Sequence, residues 1–143
     1  SLDNLSYELC GITTYAKSIE NCSNSGNITI VNTEKNDPEY GPALTACGVI
    51  GECRKKITGC SNTGNISVTN KGGKKSTTRA TIAGVFSSSG KAASRCYNTG
   101  NISYKGACTD YSLDKAIWVQ GVGTGYGTSE CYNTGHTQTN IKG

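Results

Sequence analysis

Apolar residues in this chain fall in short clusters that return at nearly fixed intervals, separated by Asn, Ser, Thr and Gly. No window holds an apolar 3.6-residue period for three turns, so the pattern predicts almost no helix. Short β-favouring runs recur instead, at 45–51, 57–62 and 65–69 in the second repeat, and predict three short strands per unit. One phrase is spoken four times: Cys22-Ser-Asn-Ser-Gly-Asn-Ile28, Cys60-Ser-Asn-Thr-Gly-Asn-Ile66, Cys96-Tyr-Asn-Thr-Gly-Asn-Ile102 and the decayed Cys131-Tyr-Asn-Thr-Gly-His-Thr137. A second marker keeps the same phase, as Gly11-Ile12, Gly48-Val49, Gly84-Val85 and Gly121-Val122. Subtracting positions gives Cys spacings of 38, 36 and 35 and Gly spacings of 37, 36 and 37. A period in this range means stacked units that share one core.

The expected fold is therefore all-β: a β-solenoid, as a right-handed parallel β-helix, of four coils of about 36 residues. Residues 1–143 form a single domain with repeats at about 7–43, 44–79, 80–116 and 117–143. Stacking puts like on like. Ile19, Ile57 and Ala93 are expected in one apolar ladder, Ile12, Val49, Val85 and Val122 in another, and Ile28, Ile66 and Ile102 in a third. Thr128 and Thr137 replace the fourth members of two ladders, as expected of a terminal coil. Alternation along a strand sends Cys and Asn of the phrase inward and Ser23, Ser61, Tyr97 and Tyr132 outward. Asn24, Asn62, Asn98 and Asn133 are expected to bond one another and the turn backbone, since an unpartnered buried amide costs about 1 to 3 kcal/mol. Gly26, Gly64, Gly100 and Gly135 are expected at corners with positive φ.

The phrase Ser94-Arg-Cys-Tyr-Asn-Thr-Gly-Asn-Ile102, with a Gly-aliphatic strand upstream, resembles the GLUG-type repeats of bacterial surface proteins, whose units read broadly Asn-Cys-Tyr-x-x-Gly-x-Val. The likeness covers all four units. It implies a β-solenoid that is secreted or displayed on a cell surface, where such repeats accompany adhesins and some secreted peptidases as accessory segments.

Eight cysteines in such a setting invite a disulfide framework. Cys22, Cys60, Cys96 and Cys131 belong to the phrase, and side chains stacked in one direction suit a bridge dihedral near 90° poorly. They are read as small buried hydrophobes. Cys10 and Cys47 share a register, while Cys53 and Cys108 lie off the pattern and are the better candidates for a bridge. With no Cys-x-x-Cys pair and His136 as the single imidazole, neither a metal site nor a cofactor is expected.

Charge is segregated. Arg54, Lys55, Lys56, Lys71, Lys74, Lys75, Arg79, Lys91 and Arg95 follow one another with no acid between them, whereas the first 52 residues hold seven acids against two lysines. The acidic connection with Glu34, Asp37 and Glu39 is expected beside the basic one with Lys71, Lys74, Lys75 and Arg79, where neighbouring loops neutralise each other. Lys17, Arg54, Lys55 and Lys91 recur at similar offsets after the Gly marker and line up as a cationic stripe, read either as an ordinary solvated face or as a site for anionic glycans. Tyr97 and Tyr132, with Tyr104 and Tyr126 near them, offer a sugar platform or an ordinary cross-strand pair.

Catalysis is not expected. Glu20 and Glu130 are the only acids inside the repeated core, and neither has an acidic equivalent in the adjacent coil, as a carboxylate pair would require. The segment Gly121-Val-Gly-Thr-Gly-Tyr-Gly127 misses the last glycine of a dinucleotide fingerprint. No run of 18 apolar residues predicts a membrane span, and no nucleic-acid-binding module is visible. Asn-x-Ser/Thr sequons at Asn4, Asn21, Asn27, Asn65 and Asn101 are read as by-products of composition. The leading functional reading is adhesion or ligand binding at a bacterial surface, with anionic glycans or surface proteins as partners. The alternatives are a passive stalk or an end-to-end self-assembling fibre unit, and then a polysaccharide-active enzyme.

Overall fold

The computed structural model describes residues 6–33, 43–71, 80–107, 117–123 and 127–142. It is all-β among these residues, with no helix, and every strand pairing is parallel. The first repeat contributes β1 (Ser6–Cys10), β2 (Thr13–Glu20), β3 (Ser23–Asn24) and β4 (Ile28–Asn32), and the second β5 (Ala43–Cys47), β6 (Ile50–Thr58), β7 (Ser61–Asn62) and β8 (Ile66–Asn70). The third contributes β9 (Ala80–Ala83), β10 (Phe86–Ser89), β11 (Ala93–Ser94), β12 (Tyr97–Asn98) and β13 (Ile102–Ala107). The fourth adds β14 (Ile117–Gln120), β15 (Thr128–Ser129), β16 (Tyr132–Asn133) and β17 (Thr137–Lys142).

Corresponding strands of successive repeats lie side by side in four sheets. The first is β1-β5-β9-β14, the third β3-β7-β12-β16 and the fourth β4-β8-β13-β17. In the second sheet β2 pairs with the long β6, which is answered on its other side by β10 and β11, and β11 pairs with β15. We call each repeat's contribution a tier.

A tier thus has four strand positions, not the three expected from sequence. The run 45–51 breaks at Gly48, and the run 57–62 breaks at Gly59. The second break has a backbone cause. Asn21, Gly59, Arg95 and Glu130 occupy equivalent corners with φ of 52°, 67°, 52° and 52°. A left-handed residue turns the chain there whatever its side chain, and only one of the four is the glycine that usually fills such a place.

The glycines expected to supply positive φ do not. Gly26, Gly64, Gly100 and Gly135 lie outside the left-handed region. Their requirement is room: a Cβ on Gly100 would collide with the Gly64 carbonyl oxygen of the tier before it, and one on Gly64 with that of Gly26. The corners themselves bond tier to tier. Gly59 N–H donates to the Ser94 carbonyl at 3.0 Å, and Thr63 N–H to that of Asn24 at 2.9 Å. Backbone groups at the bends are therefore satisfied by the adjoining tiers, as buried peptide groups must be.

Burial follows the stacking. Ile19 pairs with Ile57, and Ile28, Ile66, Ile102 and Thr137 share one register. Two apolar clusters result. One joins Ile19, Ile57 and Ala93 to Val49, Val85 and Phe86; the other joins Ile28, Ile66 and Ile102 to Leu44, Ile82 and Tyr104. Ile12 occupies the expected ladder, since its N–H donates to the Val49 carbonyl at 3.2 Å, yet it is 48% exposed. Its tier has a described neighbour on one side only.

Glycine in place of a side chain is thus a stacking device with a testable asymmetry. Gly100→Ala is expected to lower unfolding free energy by about 1 to 3 kcal/mol, the usual cost of overpacking. Gly26→Ala, whose added Cβ meets nothing nearer than Asn24 Oδ1 at 3.6 Å, should stay within about 0.5 kcal/mol. Urea unfolding of the two variants checks this, and equal losses would refute the stacking explanation.

Candidate ligand-binding face

The cationic positions lie along the second sheet, Lys17 on β2, Arg54 and Lys55 on β6 and Lys91 in the bend between β10 and β11, where the strand alternation fails. Along β6, Glu52 is exposed and Cys53 buried, but then Arg54, Lys55 and Lys56 are exposed in succession before Ile57 returns to the core. The pairing with β2 gives the reason. Ala16 lies opposite Cys53 and Ser18 opposite Lys56, so Lys17 alone faces the two residues Arg54 and Lys55. This is a β-bulge, and the extra residue turns three consecutive side chains outward. On the other side, Ser89 lies opposite Cys53 and Ser94 opposite Thr58, a constant offset of 36 that sets Lys91 against Lys55. Lys17, Arg54 with Lys55, and Lys91 therefore occupy consecutive tiers, about 4.8 Å apart along the stack.

Their electrostatic surroundings differ. Lys56 Nζ sits 2.8 Å from Glu20 Oε1, and this hydrogen bond, with the charge of Lys56, holds the Glu20 carboxyl below the usual range. Arg54 Nε approaches Glu52 Oε1 at 4.0 Å, and its guanidinium lies 5.8 Å from the centre of the Tyr15 ring. Among the described residues Lys17, Lys55 and Lys91 form no ion pair and are exposed. The acidic and basic connections expected to neutralise each other lie outside the described residues, apart from the exposed Lys71.

Tyr97 and Tyr132 are on the outer face of the third sheet, not on the basic strip. Their rings are 5.1 Å apart and 4° from parallel, in line with strand partners Tyr97 and Tyr132. Ser61 and Ser23 continue the same column. Ser61 points outward yet is only 5% exposed, a correction to the expected outer surface: a small side chain between two neighbouring tiers is covered by them. Tyr104 is not near this pair but 1% exposed in the second apolar cluster, at the register position of Val68. Tyr126 lies outside the described residues.

The inner asparagines form the expected ladder. Asn24 Nδ2 donates to Asn62 Oδ1 at 2.8 Å, Asn62 to Asn98 at 2.7 Å, and Asn98 to Asn133 at 2.7 Å. The other amide hydrogen of each goes to the carbonyl two residues on, at Gly26, Gly64, Gly100 and Gly135. Burial is complete only for Asn62 and Asn98. Asn24 is half-buried and Asn133 exposed, because each has a described tier on one side only. The marker glycines lie against this ladder: a Cβ on Gly84 would come within 2.6 Å of Asn98 Cγ, and one on Gly48 within 2.5 Å of Asn62 Cγ.

Two further ladders escaped the sequence reading. Asn65 N–H donates to Asn27 Oδ1, and Asn101 N–H to Asn65 Oδ1, both at 2.9 Å, followed by His136 N–H to Asn101 Oδ1 at 3.1 Å. Three of these asparagines head sequons, so the repetition itself was the signal. Asn32 Nδ2 donates to Asn70 Oδ1 at 3.1 Å, both buried, and their separation of 38 matches that of Cys22 and Cys60.

The phrase cysteines share one conformation. Cys22, Cys60, Cys96 and Cys131 each point Sγ at the carbonyl two residues back, at 3.4, 3.6, 3.4 and 3.3 Å. Cys60 and Cys96 are buried and the outer two half-buried. A thiol–thiol hydrogen bond lowers Cys60 to about 7 and, with burial, pushes Cys96 up. The Cys10–Cys47 pair behaves alike: the shared hydrogen bond lowers Cys10 and raises Cys47. Cys53, expected as a bridge partner, is a free buried thiol whose Sγ donates to the Lys56 carbonyl at 3.3 Å; Cys108 lies outside the described residues.

One recess was not foreseen. A cavity of about 400 Å³ opens on the first tier between Glu8, Leu9, Ile30, Val31, Asn32 and Leu44. Comparison of the chain with protein-family models, curated proteins and solved structures gives no match.

Thiol burial sets a labelling order. Under native, non-reducing conditions iodoacetamide is expected to reach Cys10, Cys22 and Cys131 well before Cys47, Cys53, Cys60 and Cys96, and denaturation should expose all seven as free thiols. Peptide mass spectrometry reads the order, and bridged motif cysteines would contradict it.

Proposed function

We propose that the chain is a right-handed β-solenoid, a GLUG-type repeat module exported to a bacterial cell surface, which binds anionic glycans along its basic strip. The observation that carries this reading is the run of Lys17, Lys55 and Lys91 on consecutive tiers, each exposed and without an ion-pair partner among the described residues. Cations repeated at the tier spacing suit a polymer with sulfate, carboxylate or phosphate at regular intervals, since several weak contacts on one chain multiply into useful affinity. The β-bulge favours the role because it holds Lys17, Arg54 and Lys55 outward on strands, with Lys91 beside them in the bend between β10 and β11. Contacts of this kind weaken as salt screens them.

The reading includes no catalytic step. The positions stacked on Glu20 in later tiers are Thr58, Ser94 and Ser129, and those equivalent to Glu130 are Arg95, Gly59 and Asn21. Neither carboxylate gains a second acid from the neighbouring tier, which general acid–base chemistry on a polysaccharide would need.

A second reading, a stalk or end-to-end assembling unit, is favoured by the apolar side chains exposed on the first tier, Leu9, Ile12 and Val31. Sedimentation that stays monomeric at all concentrations would remove the assembling form.

The glycan reading is tested on an array of neutral and anionic glycans at low and near-physiological salt. Binding to an anionic subset is expected, reduced at least tenfold in Lys55→Glu and in Lys91→Glu. Lys105→Glu, at an exposed position of the fourth sheet, should leave it unchanged. Absence of binding at low salt, or equal loss in all three variants, would overturn the site.

A further inference from the structure

The stacking that hides the cysteines also aligns them. Sequence spacing offers no chelating pair, because the thiols are 35 to 38 residues apart, yet the tiers set them one above another. All four phrase thiols adopt the same orientation toward the carbonyl two residues back, so their sulfurs repeat with the tiers. Cys10 and Cys47 are direct strand partners, and Cys60 and Cys96 immediately precede the strand partners Ser61 and Tyr97.

Among the described residues no three His, Cys, Asp or Glu side chains converge on one point. A column in which every sulfur has a neighbour above and below cannot build the tetrahedral thiolate shell that zinc takes. It can place one sulfur on each side of an ion. At the zinc–thiolate length of about 2.3 Å, two metal–sulfur bonds set in line span about 4.6 Å, close to the ~4.8 Å between neighbouring parallel strands. Thiolate ligands select soft ions, Cu(I) foremost among the biological metals.

We propose that the stacked thiols are a binding site for Cu(I), held two-coordinate between the sulfurs of neighbouring tiers, in the column Cys22–Cys60–Cys96–Cys131 and in the pair Cys10–Cys47. Each ion enters as two thiols release their protons to solvent, with no change of oxidation state. The bis-thiolate unit carries one net negative charge. A backbone group is already aimed at one such sulfur, since Cys96 N–H lies 3.3 Å from Cys131 Sγ. Access is from the half-buried members, Cys22 and Cys131 at the ends of the column and Cys10 in the pair. The proposal is independent of the glycan reading, which uses a different face of the sheets.

The test uses the full chain, reduced and free of oxygen, titrated with Cu(I) against bicinchoninate as a coloured competitor. The protein is expected to withhold at least one Cu(I) for the pair and one for the column. X-ray absorption at the copper edge should give two sulfur neighbours per ion. Cys10→Ala, at a half-exposed position that leaves the core packing intact, should lose one ion, and Cys53→Ala none. Surrender of all copper to the competitor, three or more sulfurs around each ion, or equal loss in Cys53→Ala and Cys10→Ala would overturn the site. The absorption measurement on unsubstituted protein decides the matter even if a variant folds poorly.

Discussion

The architecture depends on how closely one backbone can lie on the next. Parallel strands settle about 4.8 Å apart, and at two places per tier this leaves no room for a side chain. One is Gly48 or Gly84, where the inner asparagine amide and a carbonyl of the adjoining tier occupy the space a Cβ would fill; the other is Gly64 or Gly100, closed first by the glycine carbonyl of the tier before. Gly48 stands between Ala46 of one apolar cluster and Val49 of the other, and Asn62 between Cys60 and Ile66, again one from each. The glycine–amide contact thus closes the seam between two apolar clusters. A polar element can occupy that position because both amide hydrogens of Asn24, Asn62 and Asn98 are used, one along the stack and one on the local turn.

From this spacing the outer surfaces inherit their order. Tyrosines stack because their strands do, and cations line up because Lys17 faces the bulge that carries Arg54 and Lys55 while Lys91 keeps the constant offset of the next tier. Strand pairing fixes the backbone but leaves the outward side chains free to differ between tiers, so one column reads Ser23, Ser61, Tyr97, Tyr132.

Much of the interior was legible in the chain. A fixed period gave the register, and alternation then named Ile19, Ile57, Ile28 and Ile66 as core and Asn62 and Asn98 as an inward ladder. What escaped was the shape of the bends. Asn21, Gly59, Arg95 and Glu130 make one and the same turn with four different side chains, and a left-handed backbone imposed by its neighbours leaves no common residue type to read. The roles of Gly64 and Gly100 were misassigned because a glycine kept for close approach and one kept for positive φ look identical in sequence. At the basic strip the clue was present: three successive polar residues, Arg54, Lys55 and Lys56, break a two-residue alternation and mark a bulge. Tyr104 was misplaced because an aromatic ring in a Val or Ile register position can be accommodated only where the partner columns leave volume, which no single chain reveals.

The inner asparagine ladder runs in one direction, each amide nitrogen giving its hydrogen to the oxygen of the following tier. Every rung therefore presents the same donor on one side and the same acceptor on the other. Excising one whole repeat would bring two surfaces together that already match, whereas removing part of one would leave an amide facing the wrong partner. A protein built this way keeps its inner ladder in register when it is lengthened or shortened by one whole repeat.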